Sequence, residues 1–160
     1  MDRKKAIVTG GSSGIGRGIV YGLAEAGYDV VFSYWSKAEN AKKVAAELSQ
    51  KYPEGQFICI EAELTKEGAG VEFFRKAVEL LGNLDLMVNN AGVTILESIF
   101  DLTEENMDYL IRLLFRNYVI LMRESAKYMA AKGIRGSIIN ISSARGFGAH
   151  PGGLVYGGIK

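Results

Sequence analysis

The strongest constraint on the fold is a regular alternation between short apolar runs and longer segments with helical periodicity. Five runs rich in β-branched and aromatic residues are predicted to be strands: residues 5–9, 29–34, 56–61, 84–89 and 137–141. Several of these runs are apolar nearly throughout, which is typical of parallel strands covered on both faces of a sheet.

The segments between these runs have the spacing of amphipathic helices. The first three are residues 15–26, 38–51 and 67–81, and the third is predicted to bury one stripe: Val71, Phe74, Val78 and Leu81. Thr103 is a predicted N-cap of a fourth helix that runs to about residue 132. Because right-handed crossovers join parallel strands, this order predicts one α/β domain over residues 1–160, built on a doubly wound parallel sheet.

Composition excludes several other classes of protein. The 19 Lys and Arg against 18 Asp and Glu leave a formal charge of 19 − 18 = +1, so we expect no nucleic-acid partner. The hydrophobic fraction of 48% argues against disorder. No run approaches the roughly 18 apolar residues of a membrane span. The single cysteine, Cys59, favours a reducing, cytoplasmic location, and no Cys/His spacing suggests a metal site.

Doubly wound sheets bind ligands just beyond the carboxyl ends of their strands, and a glycine-rich segment follows the first strand here. Residues 10–16 read GGSSGIG and open a helix. Glycine lacks a Cβ, so it adopts positive φ and lets a pyrophosphate approach backbone N–H groups. The spacing Gly10-x-x-x-Gly14-x-Gly16 differs from the common G-x-G-x-x-G fingerprint. We therefore predict a phosphate-binding turn of a less common type.

Four motifs together resemble those of the short-chain dehydrogenase/reductase family. Residues 9–16 (TGGSSGIG) match its T-G-x-x-x-G-x-G turn, and residues 89–92 (NNAG) match the motif after its fourth strand. Residues 140–143 (NISS) match the end of its fifth strand, and residues 156–160 (YGGIK) match its Y-x-x-x-K. The resemblance implies a Rossmann-like strand order of 3-2-1-4-5 and a nicotinamide cofactor.

The resemblance also implies a carbonyl–alcohol oxidoreductase with three catalytic residues. Tyr156 would be the general acid/base, Lys160 would assist it and bind the nicotinamide ribose, and Ser143 would hold the substrate oxygen. The separation of 156 − 143 = 13 residues is also that of the family. A phenol near pKa 10 is a poor catalyst at neutral pH, and a neighbouring ammonium group favours the phenolate form.

The same resemblance assigns residues to the cofactor. They are Gly10, Ser12, Ser13, Gly14, Ile15, Gly16, Tyr34, Ser36, Lys37, Glu63, Leu64, Asn90, Ala91, Gly92, Tyr156 and Lys160. NAD enzymes tend to place an Asp at the end of the second strand, where this chain has Tyr34. Ser36 and Lys37 follow and suit a 2′-phosphate, so NADP(H) is favoured over NAD(H). The adenine-side Asp of the family corresponds to Glu63.

The asparagine that the family carries in its long helix is missing at the matching position. Counting 22 residues from Gly92 gives Leu114, and the nearest asparagine is Asn117. Three consequences remain open. The Leu114 carbonyl serves at a reduced rate, or a local bulge brings Asn117 into place, or the protein is a poor catalyst.

Two functions therefore compete. The first is an oxidoreductase acting on a small-molecule carbonyl or alcohol, and the alternative is a nucleotide-binding module with weak or no catalysis. Family members continue for roughly another hundred residues, so the resemblance implies that the domain is incomplete after the fifth strand and the start of the next helix. It also implies a homodimer or homotetramer, while the substrate itself is not indicated.

Overall fold

A five-stranded parallel sheet forms the centre of the fold, in the order β3-β2-β1-β4-β5. The computed structural model describes residues 3–148 and 150–160. The strands are β1 (Lys4–Val8), β2 (Tyr28–Tyr34), β3 (Phe57–Glu61), β4 (Leu86–Asn89) and β5 (Ser137–Asn140). The predicted doubly wound sheet and its strand order are confirmed. The winding reverses between β1 and β4, which creates a crevice at their carboxyl ends.

Helices cover both faces of the sheet. They are α1 (Gly14–Glu25), α2 (Ala38–Lys51), α3 (Ala69–Leu81), α4 (Glu104–Leu110), α5 (Asn117–Lys132) and α6 (Leu154–Ile159). A π-helical turn, Ile111–Arg116, joins α4 to α5, and a short 3₁₀ turn, Ala144–Gly146, precedes α6. Within the described part of the chain, no helix is long and apolar enough to cross a membrane.

Alternating side chains of the strands divide the core into two layers. On one face, Ala6 and Val8 of β1 are buried with residues of α1 and α2. On the other face, Ile7 is buried with residues of α3 and the long helix. Both layers exclude water from the strands, which explains why these runs are apolar nearly throughout.

The buried stripe of α3 differs from the predicted one. Val71 is 38% exposed, whereas Phe73 and Ala77 are buried beside Phe74 and Leu81. The helix is therefore rotated about its axis relative to the predicted stripe. The reason is its close approach to α5 through Gly70, because a Cβ there would lie 2.5 Å from the Oδ1 of Asn117.

The long fourth helix begins at the predicted cap. The hydroxyl of Thr103 accepts a hydrogen bond from the backbone N–H of Asn106 at 3.2 Å. Glu104 and Glu105 lie in the first turn, where carboxylates are favourable. The π-helical turn in the middle is the part that the sequence pattern did not indicate.

One buried carboxylate ties together the amino ends of three strands. Asp29 of β2 is 5% exposed and accepts hydrogen bonds from Arg3 Nε at 2.7 Å and from the backbone N–H of Gln56 at 2.9 Å. Lys5 of β1 donates to the other carboxylate oxygen. Burial on its own raises the pKa of Asp29, but the bonds from Lys5, Gln56 and Arg3 outweigh it and lower that pKa below its usual value.

We expect Asp29→Asn to lower the free energy of unfolding by about 1–3 kcal/mol near neutral pH, since it leaves buried donors poorly paired. The lowered pKa means that the charged carboxylate stabilises the fold above the unfolded-state pKa of about 3.9 and that this contribution is lost as pH falls through the lower folded value. Urea unfolding across the acid range measures both effects.

Asp101→Asn provides the control, because that carboxylate is exposed and, among the described residues, accepts one side-chain hydrogen bond, from Ser98. Equal stability losses in the two variants, or an acid dependence that survives in Asp29→Asn unchanged, would contradict this account of Asp29.

Candidate active site

A cleft opens at the carboxyl edge of the sheet and is lined by segments that follow all five strands. Its volume is about 560 Å³, within the range of about 300–1,000 Å³ typical of ligand sites. The sixteen residues predicted to bind the cofactor all lie along it. The structure thus brings these residues together, although their roles remain predictions.

The glycine-rich turn forms the floor of this cleft. Gly10 and Gly14 have φ values of 69° and 54°, which disfavour any other residue. A Cβ on Gly14 would meet no atom within 4 Å, so open space lies directly above bare backbone. The N-terminus of α1 begins here, where partial positive charge favours an anion. The turn therefore fits the pyrophosphate of a dinucleotide.

Thr9 and Asn90 hold the turn against the neighbouring N-N-A-G segment. The buried hydroxyl of Thr9 accepts hydrogen bonds from the backbone N–H groups of Asn90 and Ala91, both at 2.9 Å. The Nδ2 of Asn90 donates to the Thr9 carbonyl at 2.9 Å and to the Gly10 carbonyl at 3.3 Å. These bonds fix the two sides of the crevice relative to each other.

Ser33 supports the turn from the other side. Its hydroxyl accepts from the N–H of Gly10 at 3.0 Å, and its carbonyl accepts from the N–H of Gly11 at 2.9 Å. Ile15 is 69% exposed at the start of α1, whereas Gly16 is buried against the Gly10 carbonyl and the Asn90 side chain.

A polar rim follows β2. Lys37 Nζ lies 3.5 Å from the hydroxyl of Ser13, and Ser36 lies beside them along the cleft. Across the cleft, the carboxylate of Glu63 is paired with Lys66 at 2.5 Å, while Leu64 is buried in the core. The ammonium of Lys66 also lies 5.7 Å from the ring centre of Trp35. The ammonium group of Lys37 is thus placed to receive an anion.

Tyr156 and Lys160 reach the opposite end of the cleft from α6 and its C-cap. The Nζ of Lys160 donates to the Ile141 carbonyl at 2.6 Å and lies 3.4 Å from the hydroxyl of Tyr118. Burial lowers the pKa of Lys160, and the nearby Tyr156 opposes that shift. Burial raises the pKa of Tyr118, and Tyr156 raises it further. Lys160 therefore lies between two tyrosines, Tyr156, which lines the cleft, and Tyr118, which contacts the lysine from outside the lining.

Ser143 is the one predicted site residue outside the cleft lining. Its hydroxyl accepts the backbone N–H of Arg145 at 3.2 Å and caps the 3₁₀ turn. Ser142 lines the cleft instead, and its hydroxyl donates to the carbonyl of Lys160. Tyr156 and Lys160 line the cleft whereas Ser143 does not, and the predicted role of Ser143 stays a prediction.

The positions of Leu114 and Asn117 decide whether a local bulge brings Asn117 into the site. The π-helical turn is a local bulge, but Asn117 is 2% exposed and packs against Gly70 of α3, outside the cleft lining. The expectation that a bulge brings Asn117 into the site is thus wrong, because the widened turn directs its side chain toward α3. Leu114 packs against the backbone of Gly92.

The sequence motifs do not identify several residues that support the glycine turn and Lys160 by hydrogen bonds. Ser33 and Tyr118 belong to no quoted motif, and Thr9 was recognised only as part of one. The signal for Ser33 was present, since a lone buried hydroxyl in an otherwise apolar strand needs a partner.

A doubly wound sheet with a glycine turn at its switch point defines the class of nucleotide-binding α/β proteins. The comparison with protein families narrows this class. The chain belongs to the short-chain dehydrogenase family, whose profile, described as "short chain dehydrogenase", matches residues 4–160.

Named relatives support this assignment. The chain is 32% identical over 148 residues to 2-dehydro-3-deoxy-D-gluconate 5-dehydrogenase of Escherichia coli K12, covering 92% of this chain and 56% of that protein. It is 32% identical over 157 residues to a 3-oxoacyl-[acyl-carrier-protein] reductase of Staphylococcus epidermidis, covering 98% and 63%. The chain thus spans about 60% of the length of these relatives.

A solved structure agrees with the fold. A short-chain dehydrogenase from Burkholderia cenocepacia, solved in complex with NADP, superposes with a TM-score of 0.90 at 30% identity. The match covers 98% of this chain and 62% of the other.

Proposed function

We propose that the protein is an NADP(H)-dependent oxidoreductase that interconverts a small-molecule carbonyl and an alcohol. The observation that carries this proposal is the shared cleft, in which the glycine turn and the Tyr156–Lys160 pair face one continuous space. A phosphate site alone would suit many nucleotide-binding proteins, but a phenol beside an ammonium group supplies acid–base chemistry at the far end.

Cofactor binding and proton transfer would fall to different residues of this chain. The nicotinamide cofactor, when bound, supplies or accepts the hydride. The backbone at Gly10 and Gly14 and the start of α1 would hold its pyrophosphate. Tyr156 would donate a proton to the carbonyl oxygen during reduction and take it back during oxidation. Lys160 would assist Tyr156 and bind the ribose.

The preference for NADP(H) is supported by the rim after β2. Tyr34 offers no carboxylate at the strand end, and Lys37 with Ser13 provides a cation and a hydroxyl for a 2′-phosphate. The relative solved with NADP is consistent with this preference.

We expect Lys37→Ala to weaken NADPH binding about tenfold, at the low end for a charge-assisted hydrogen bond because the site is exposed to solvent. NADH lacks the 2′-phosphate, so its affinity should stay nearly unchanged. Fluorescence titration of the full chain with each nucleotide measures both dissociation constants.

Lys42→Ala is the matched control, since it removes the same charge from an exposed lysine of α2 that pairs with Glu39. An equal loss for both nucleotides, or no loss for NADPH in Lys37→Ala, would overturn the role given to Lys37. An NADH affinity above that for NADPH in the unmodified protein would overturn the cofactor preference.

A nucleotide-binding module with weak or no catalysis is the second candidate. Leu114 in place of the family's asparagine and the position of Ser143 outside the cleft favour it. An assay of NADPH-dependent reduction, with an acetoacetyl thioester and acetoin as probe substrates, distinguishes the two candidates. NADPH binding without turnover of either probe would support this candidate against the first.

Assembly into a homodimer or homotetramer remains our expectation. Three apolar side chains, four residues apart, lie exposed along the long helix: Ile111 at 38%, Phe115 at 58% and Val119 at 43%. A second copy of the chain is the occupant that this stripe favours.

A further inference from the structure

Tyr118 occupies a position that none of the four motifs explains. It lies one residue beyond Asn117 at the start of α5, is 6% exposed, and reaches across the crevice between the N-N-A-G segment and α6. Its hydroxyl donates to the carbonyl of Ala91 at 3.1 Å. The proton of the hydroxyl therefore points to Ala91, and its lone pairs are left to accept a hydrogen bond.

Those lone pairs face the ammonium group of Lys160. The Nζ lies 3.4 Å from the Tyr118 hydroxyl and 5.1 Å from the centre of the ring. The ring and the hydroxyl therefore both offer negative potential to the same cation. Because burial and Tyr156 raise the pKa of Tyr118, its phenol stays neutral at physiological pH and its proton stays on the Ala91 bond.

The hydrogen-bond donors of the Lys160 ammonium group can be counted against their partners. Lysine has three N–H donors and no acceptor. One goes to the Ile141 carbonyl at 2.6 Å, and a second meets the Tyr118 hydroxyl. Two fixed partners leave one N–H for a further acceptor, and Lys160 lines the same cleft as Tyr156.

We propose that Tyr118 is a positioning residue for Lys160. Its phenol, anchored on the Ala91 carbonyl, holds the ammonium group of Lys160 in a chain that has Leu114 instead of the family's asparagine. This inference rests on the proposed function for its catalytic meaning. Its geometric content, a hydrogen bond that holds Lys160, can be tested without any turnover.

The test compares Tyr118→Phe with the unmodified protein, because phenylalanine keeps the ring and removes only the hydroxyl. Losing an acceptor of its charged form lowers the pKa of Lys160 further. Carbon NMR of the lysine Cε groups follows that titration, and the Lys160→Arg variant assigns the resonance. We expect a clear shift of the Lys160 titration to lower pH.

Tyr128→Phe is the matched control, since it removes a hydroxyl that donates to the Gly82 carbonyl at 3.3 Å, away from the cleft. It should leave the Lys160 titration unchanged. In the assay with an acetoacetyl thioester, we expect kcat/KM to fall about tenfold in Tyr118→Phe, the order expected for one hydrogen bond to a charged group.

An unchanged Lys160 titration in Tyr118→Phe would overturn the proposal. Loss of the fold in Tyr118→Phe, with Tyr128→Phe folded, would overturn it too, because the hydroxyl would then serve the structure rather than the lysine. Absence of turnover in the unmodified protein would instead contradict the proposed function, and the NMR titration would still decide the role of Tyr118.

Discussion

Replacing Tyr156 by phenylalanine should abolish carbonyl reduction while leaving NADPH binding nearly intact. The variant keeps the ring and removes the only group that the account assigns to proton donation. Loss of a general acid/base typically costs roughly 10²–10⁴-fold in rate. The pyrophosphate contacts lie at the other end of the cleft, around Gly10 and Gly14. Steady-state NADPH oxidation and nucleotide titration measure the two properties separately.

Tyr52→Phe is the control for this substitution, because Tyr52 packs against Phe57 beyond the end of α2, outside the cleft lining. Both properties should be retained there. If Tyr156→Phe kept most of its activity, proton donation by Tyr156 would be refuted.

Adding one methyl group at Gly16 should have the second large effect, on binding and folding together. Gly16 is buried, and a Cβ there would overlap the carbonyl oxygen of Gly10 and the amide nitrogen of Asn90. Both atoms belong to the network that joins the glycine turn to the N-N-A-G segment. We expect Gly16→Ala to weaken NADPH binding about 100-fold and to destabilise the fold by about 1–3 kcal/mol, a common cost of overpacking.

Gly18→Ala makes the same change on the same helix. A Cβ there would meet no atom within 4 Å. Alanine is a better helix former than glycine, so this control should bind NADPH normally and gain up to about 1 kcal/mol in stability. Normal NADPH binding by Gly16→Ala would contradict the geometry assigned to the turn. Titration and urea unfolding of both variants provide the comparison.

The sheet and the phosphate turn could be predicted because their signals are local. Continuous apolar runs identify buried parallel strands, and the pattern predicts β1 at residues 5–9 against the observed Lys4–Val8. Glycines that follow such a strand indicate positive φ, and Gly10 and Gly14 both have it.

What could not be predicted depends on contacts distant in sequence or on the rotation of a helix about its axis. Tyr118 and Lys160 are 42 residues apart and meet only because the long helix crosses the end of β4. The π-helical turn changes which side chains face the cleft after residue 116, which is why Asn117 packs on Gly70. The predicted stripe of α3 failed for a related reason, since Gly70 allows α3 to approach α5 closely.

The most direct test of the central claim is transfer of deuterium from NADPH that carries deuterium at both positions of the reactive nicotinamide carbon. The full chain would be incubated with the labelled cofactor and an acetoacetyl thioester, and the deuterium content of the alcohol product would be measured by mass spectrometry. We expect one deuterium in the product with the unmodified protein and none with Tyr156→Phe. Nucleotide bound tightly by the unmodified protein, with no label reaching either an acetoacetyl thioester or acetoin, would contradict it.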